Sequence, residues 1–225
     1  MIMFSYSDCM FVADSTSIVV SSIELKLNEE FFVELKSVAV EFISKYIDAI
    51  IGFEASGERD SYCSEDNEAE RVIRFHHCDL TSEIKDEDVL QVFEALRYTF
   101  SCYAYNGLHQ LYTRQENECW HPKVLLARVL TPNDIDSLDL MLTLYRGCDI
   151  GELETGVYGQ AWSTSLDVAT AFAYTHYQNQ DWFYVERRVV LEMNCARENV
   201  FFSDQSVEYE VVVDVARLGS VLRIS

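Results

Sequence analysis

Basic residues are scarce in this 225-residue chain: 17 Lys and Arg face 38 Asp and Glu, leaving a net charge of -21. A chain of that sign has no general attraction to the phosphates of DNA or RNA or to anionic lipid, which argues against broad backbone binding but leaves room for a local basic pocket. Long apolar runs are also missing. No stretch approaches the ~20 uninterrupted apolar residues of a membrane helix, and Met1 to Asp14 has no basic segment ahead of an apolar one, so neither a membrane partner nor a secretory signal is expected. The seven cysteines, at 9, 63, 78, 102, 119, 148 and 195, are odd in number and include no Cys-x-x-Cys pair. That pattern suits reduced thiols in a cytoplasmic protein better than a disulfide framework. There is no Gly-x-x-x-x-Gly-Lys phosphate loop, no Gly-x-Ser-x-Gly elbow, and no Lys/Arg cluster interleaved with aromatics.

What is present is enough for a packed core: 49% of the residues are hydrophobic and 13% aromatic. The length fits one sizeable domain, or one domain with a helical addition. Ile18 to Leu27 is β-branched and partly alternating, which predicts a strand. From Asn28, read as an N-cap, Phe31, Phe32, Leu35, Val38, Ala39, Phe42, Ile43, Tyr46, Ile47 and Ile50 recur at helical spacing as far as Gly52. Glu54 to Glu70 carries seven acids and one Arg and reads as a solvated loop. A second helix begins near Asp86 and turns Val89, Val92, Phe93, Leu96 and Phe100 inward until Asn106-Gly107; its leading acids suit the positive end of the helix dipole.

After Asp139 the texture becomes β-like, with candidate strands Met141–Tyr145, Arg187–Met193, Val207–Val213 and Val221–Ile224 and one helix, Leu166–Tyr174. The glycines at 147, 151, 156 and 159 predict a loop lying close to a ligand. No lysine follows Lys123, so a fixed cation in this part must be a guanidinium, which suits bidentate phosphate contacts. In the stretch Ser206 to Asp214, period-two alternation puts Val207, Tyr209, Val211 and Val213 on an apolar face and Glu208 and Glu210 together on the other, about 7 Å apart. Two such carboxylates can divide labour, one stabilising positive charge on a sugar and one steering a nucleophile. The same pair also fits the solvent face of a half-buried strand, and Glu-x-Glu recurs at Glu68/Glu70, Glu116/Glu118 and Glu152/Glu154.

Tyr145-Arg146-Gly147, then Ser163-Thr164-Ser165, then Glu208-x-Glu210 with a closing Val-Leu-Arg-Ile run follow one another in that order. This order resembles the R-S-E class of mono-ADP-ribosyltransferases, the arginine-type, cholera-toxin-like family that includes bacterial toxins and vertebrate ecto-enzymes. The resemblance covers residues 140–225. It implies an ADP-ribosyltransferase-like split β-core with a cleft for NAD over residues 131–225; together with the helical spacing read in residues 1–130, the expected fold is α+β, a mostly helical N-terminal half packed on that core. It further implies that Arg146 contacts the phosphate and ribose side of NAD and that the Gly147 backbone grips the carboxamide. Ser163 would orient the second acid, with Thr164 and Ser165 in support. Glu210 would stabilise the oxocarbenium-like state as nicotinamide leaves, and Glu208 would position the acceptor. Phe183 and Arg187 stand where relatives place an aromatic against nicotinamide and an Arg near phosphate, and Phe201 and Phe202 where they recognise the acceptor.

By this resemblance the expected activity moves ADP-ribose from NAD to an acceptor, protein arginine first, in a toxin or effector, with an antitoxin or other regulatory protein as a further partner. A nucleic-acid base (RNA or DNA) as acceptor, NAD glycohydrolysis, and an inactive binding module are the alternatives. Structural uses fit the same residues: Arg146 as a surface ion-pair partner of Asp149 or Glu152, and Ser163 to Ser165 as a helix N-cap. No metal is expected. His76-His77-Cys78-Asp79 and Cys119-Trp120-His121 match no zinc spacing, and adjacent histidines on a strand would face opposite ways.

Overall fold

A computed structural model describes residues 4–56, 68–104, 120–131, 133–180 and 182–225. The chain divides into two compact units, Met1–Leu125 and Leu126–Ser225, close to the boundary expected after residue 130.

The first unit is helical among its described residues, with α1 (Tyr6–Phe11), α2 (Val20–Leu27), α3 (Lys36–Ser56), α4 (Glu68–Thr81) and α5 (Glu87–Ala104). Its core joins Ile43, Tyr46, Ile47 and Ile50 of α3 to Ile73 of α4 and to Val92, Phe93, Leu96 and Phe100 of α5, all buried. The Asp86 side chain accepts the N–H groups of Asp88 and Val89, so α5 starts where the sequence placed it. The expected stop at Asn106-Gly107 lies outside the described residues.

Three expectations for this unit are corrected. Residues 18–27 are not a strand: only Ile18 makes a bridge, to Val124. Helix α2 follows, because Ile23 and Leu27, four apart, share one buried face. Asn28 does not start a helix but ends α2, its side-chain amide donating to the Glu24 carbonyl at 2.6 Å. A 3-10 turn over Glu30–Leu35 then separates α2 from α3, which runs through Gly52 to Ser56. The expected acidic loop ends sooner than Glu70, since α4 begins at Glu68. His76 and His77 therefore lie on a helix, not a strand, and His77 Nε2 sits 3.2 Å from Glu94 Oε2 on α5.

The second unit is α+β: β1 (Met141–Asp149), α6 (Ile150–Thr155), β2 (Ala161–Ser163), α7 (Leu166–Tyr174), β3 (Arg188–Ala196), β4 (Val200–Asp204), β5 (Glu210–Val213) and β6 (Leu222–Arg223). The strands form one antiparallel sheet in the order β4-β5-β2-β1-β3-β6. Alternation sorts its two faces. One face buries Leu142, Leu144, Cys148, Trp162, Leu191, Met193, Val211 and Val213, with Ile150 and Leu153 of α6 packed against them. The other carries Tyr145 and Val190 under Ala169 and Ala173 of α7. Buried Gln160 anchors the first residue of this unit, accepting from the Leu126 N–H at 2.8 Å and donating to the carbonyls of Leu126 and Val213.

Helix α7 has the bounds read from the sequence. The last strands are shorter than expected. Val207 and Tyr209 are exposed and stand outside β5, which begins only at Glu210, so the proposed nine-residue alternation fails at its first half. Phe201 and Phe202 lie in strand β4, not in a loop, and Phe202 is buried. The glycine group is not one open loop either: Gly147 is inside β1, Gly151 inside α6, and Gly156 caps α6 with a φ of 67°. No helix among the described residues is long and apolar enough to cross a membrane.

Candidate functional site

Strand β2 is only three residues long, yet it brings the motifs together. Ser163 is the direct cross-strand partner of Glu210 on β5 and of Tyr145 on β1, so these three side chains share the α7 face of the sheet. Ser163 is buried, and its hydroxyl donates to the Glu208 carbonyl at 2.9 Å while accepting the Ser165 N–H at 3.0 Å. The hydroxyl thus holds the backbone of the first acid. It orients the second acid through the turn, not by a bond to its carboxylate. Thr164 continues the clasp: its N–H donates to the Tyr209 carbonyl at 3.0 Å and its hydroxyl to Gln205 Oε1 at 2.7 Å. Ser165 caps α7 by accepting the Val168 N–H, the local use anticipated for a Ser at this place.

Between β4 and β5 the chain turns through Gln205 to Tyr209. Tyr209 adopts a φ of 51°, the left-handed region that a residue with a Cβ enters at a cost of about 1–2 kcal/mol. This twist replaces the simple alternation expected of a strand and gives the two acids different surroundings. Glu208 is exposed, whereas Glu210 is partly buried. Burial pushes the Glu210 carboxyl up to about 8, and the negative charges of Glu208 and of Asp204, its partner across β4, add to the rise.

Arg146 is placed elsewhere. It follows Tyr145 by one residue, so it points to the opposite face, in line with buried Leu144 and Cys148. There its Nε and one terminal nitrogen hold both oxygens of Glu152 at 2.9 and 2.6 Å, and the other donates to the Ala161 carbonyl at 2.7 Å. Glu152 also accepts the Gly159 N–H at 2.9 Å. Of the two ion-pair partners considered from the sequence, Glu152 is the one found, and the pair is largely withdrawn from solvent, with Arg146 buried and Glu152 partly so. The signal was available in the sequence: Leu142, Leu144 and Cys148 define an apolar face with Arg146 in step.

Gly147 faces α7. A Cβ there would stand 2.1 Å from the Ala169 carbonyl oxygen and 2.5 Å from the Ala173 nitrogen, so the close approach that needs a glycine is that of the helix. Gly147→Ala is expected to push α7 off the sheet and destabilise this unit by about 3 kcal/mol, read as a lower denaturant midpoint. Arg187 forms a bidentate pair with Asp149 at 2.7 and 3.0 Å, exposed to solvent, and its hydrogen bonds hold the Asp149 carboxyl below the usual range. Phe183 lies against the buried Arg188, whose guanidinium carbon is 5.3 Å from the ring centroid. Asp149 is four residues along β1 from Tyr145, about 13 Å from the Ser163 row. The structure therefore gathers Ser163, Thr164, Ser165, Glu208 and Glu210. Arg187 and Phe183 stand further along the same unit, and Arg146 is on the reverse face.

Sequence reasoning missed Gln205 and Asp204, which flank Glu210 and belong to no recognisable motif. Among the described residues no three His, Cys, Asp or Glu side chains gather as metal ligands. Comparison with known protein families, characterised proteins and solved structures finds no match for the chain.

Proposed function

We propose that the second unit is a mono-ADP-ribosyltransferase domain that breaks the bond between nicotinamide and ribose in NAD and passes ADP-ribose to an acceptor. The observation that carries this reading is the pairing of Ser163 with the Glu208–Glu210 turn, in the motif order noted from the sequence. As the glycosidic bond breaks, its electrons go to the nicotinamide nitrogen, which leaves neutral, and positive charge grows on the ribose. Glu210, once ionised, is the group placed to stabilise that charge. The exposed carboxylate of Glu208 would receive the acceptor and take the proton it loses on attacking the sugar. An arginine guanidinium suits Glu208 best, since it offers paired N–H donors to a carboxylate.

The phosphates need a cation, and the placement of Arg146 changes its role in this reading. Arg146 ties β1 to β2 and so supports Ser163 from behind. Arg187, whose pairing with Asp149 is open to solvent, is the guanidinium assigned to phosphate. Pyrophosphate would compete with Asp149 for it.

The test is incubation of the full chain with NAD labelled in its adenylate part, together with separate protein and RNA pools. Nicotinamide release with label in protein, lost when acceptor arginines are changed to lysine, is the expected result. Label in RNA alone would replace the acceptor, and nicotinamide release without labelled macromolecule would make the protein an NAD glycohydrolase. NAD left intact under all conditions overturns the reading.

A further inference from the structure

Residues 205–209 lie outside the strand ladder and contain neither glycine nor proline, and side-chain bonds add to the Thr164 N–H to Tyr209 carbonyl bond in holding the acid turn. One side chain reaches every neighbouring segment. Gln205 Nε2 donates to Ser203 Oγ at the end of β4 and to the Glu210 carbonyl at the start of β5, both at 3.1 Å. Its Oε1 accepts the Thr164 hydroxyl at 2.7 Å, and its backbone N–H donates to Asp134 Oδ2 at 2.8 Å. We propose that Gln205 is the positioning residue of this site, locking the end of β4, the start of β5 and the Ser163–Ser165 turn into one frame around Glu210. Its catalytic consequence rests on the transferase reading; its structural role does not.

The chemistry of the side chain fits the task. The frame requires two donated bonds and one accepted bond, which a neutral primary amide supplies from one head group. Glutamate in its place would lose both donors and add a further acid to a neighbourhood that already holds Glu208 and Asp204. Asparagine is one methylene shorter. Methionine matches the length and bulk but makes none of the bonds. The charged and titratable groups facing Glu210 are Glu208 from the turn and Asp204 from β4, while β2 offers the hydroxyl-bearing Ser163 and β1 the ring of Tyr145. None of these is a cation, so Glu210 owes its environment to where the turn is held and to how far water is kept from it.

Releasing the turn should let water reach Glu210 and return its carboxyl toward the ordinary range. The experiment uses the full chain with 13C-labelled glutamate and follows the Glu210 carboxyl by NMR across pH, its signal assigned with Glu210→Gln. Gln205→Met is expected to lower the titration midpoint from about 8 by about one pH unit or more. Thr164→Val, which removes the hydroxyl bond from the opposite side, should move it in the same direction by less, and Thr164→Ser should restore the parental value. In parallel, at a pH above the Glu210 midpoint of both chains, nicotinamide release by Gln205→Met should lose about 10–100-fold in kcat with little change in KM for NAD. A midpoint that does not move in Gln205→Met overturns the proposal. Should that variant fail to fold, equal midpoints in the Thr164→Val and Thr164→Ser chains overturn it instead. Shifted midpoints in a protein whose parent releases no nicotinamide would support the positioning role and overturn the transferase reading.

Discussion

Glu210→Gln should produce a protein that is at once inactive and more stable. Removing the carboxylate assigned to the developing positive charge is expected to lower kcat/KM for nicotinamide release by about 10²–10⁴-fold. The stability gain follows from proton linkage. The folded chain holds the Glu210 proton up to about 8, whereas the unfolded chain releases it near 4.5. Between those values the folded state binds more protons, so stability falls as pH rises through this window, and the penalty is complete once Glu210 ionises. Glutamine stays neutral throughout. The variant should therefore match the parent near pH 4 and exceed it progressively toward pH 8, by about 2 kcal/mol after allowing for partial solvent access. Thermal unfolding of parent and variant at several pH values measures this directly. Equal stabilities at pH 8 would show that the carboxyl is not held in a water-poor place. In the parent, kcat/KM should rise with pH and level off above about 8, because the form that stabilises ribosyl cation is the ionised one.

The second large effect is expected on the reverse face of the sheet. Glu152→Ala leaves the buried Arg146 charge without its partner, a change that costs about 3–5 kcal/mol, and Arg146→Ala strands the partly buried Glu152 at a smaller cost. Each should lower the denaturant midpoint of the second unit, Glu152→Ala the more sharply. The pair Arg146→Met with Glu152→Leu should recover most of that loss, since apolar groups of similar size replace a buried ion pair at little net cost. The double variant also separates two roles for Arg146. If the guanidinium only braces β1 against β2, the KM for NAD stays near the parental value once folding is restored. If it binds phosphate, the KM rises although the fold is recovered.

How much of this could be read from the sequence differs from element to element. Helix α7 declares itself through Ser165 and its small apolar residues, and α5 through Asp86, because a cap and a 3.6-residue period act within one segment. Strands β1 and β3 were legible as apolar runs. The acid turn was not, because the alternation from Ser206 to Asp214 is interrupted at Tyr209, and a tyrosine gives no warning of a left-handed backbone as a glycine does. Short α2 read as a strand because its β-branched residues outweighed a single pair of apolar positions four apart. Within the site, the convergence of Ser163 with Glu208 and Glu210 was anticipated through motif order. The reversal of Arg146 was not, since the role implied by the resemblance overrode the alternation of its own strand. Gln205 escaped entirely: its side chain joins the nearby Ser203 and Glu210 to Thr164, 41 residues away, and no local pattern marks such a partner.

The outer rim of β4 has a further consequence. Leu130 donates its N–H to the Phe201 carbonyl and Asp134 donates its own to Ser203, so the segment before β1 already occupies bonding positions that a foreign strand would seek. At the opposite rim β6 is two residues long, too short to template another chain. Edges blunted in this way protect a sheet against propagating into fibrils, and they do so here beside the turn that carries Glu208 and leads to Glu210. Shortening the 130–134 segment would therefore be felt first as aggregation of the purified protein, before any defect in chemistry.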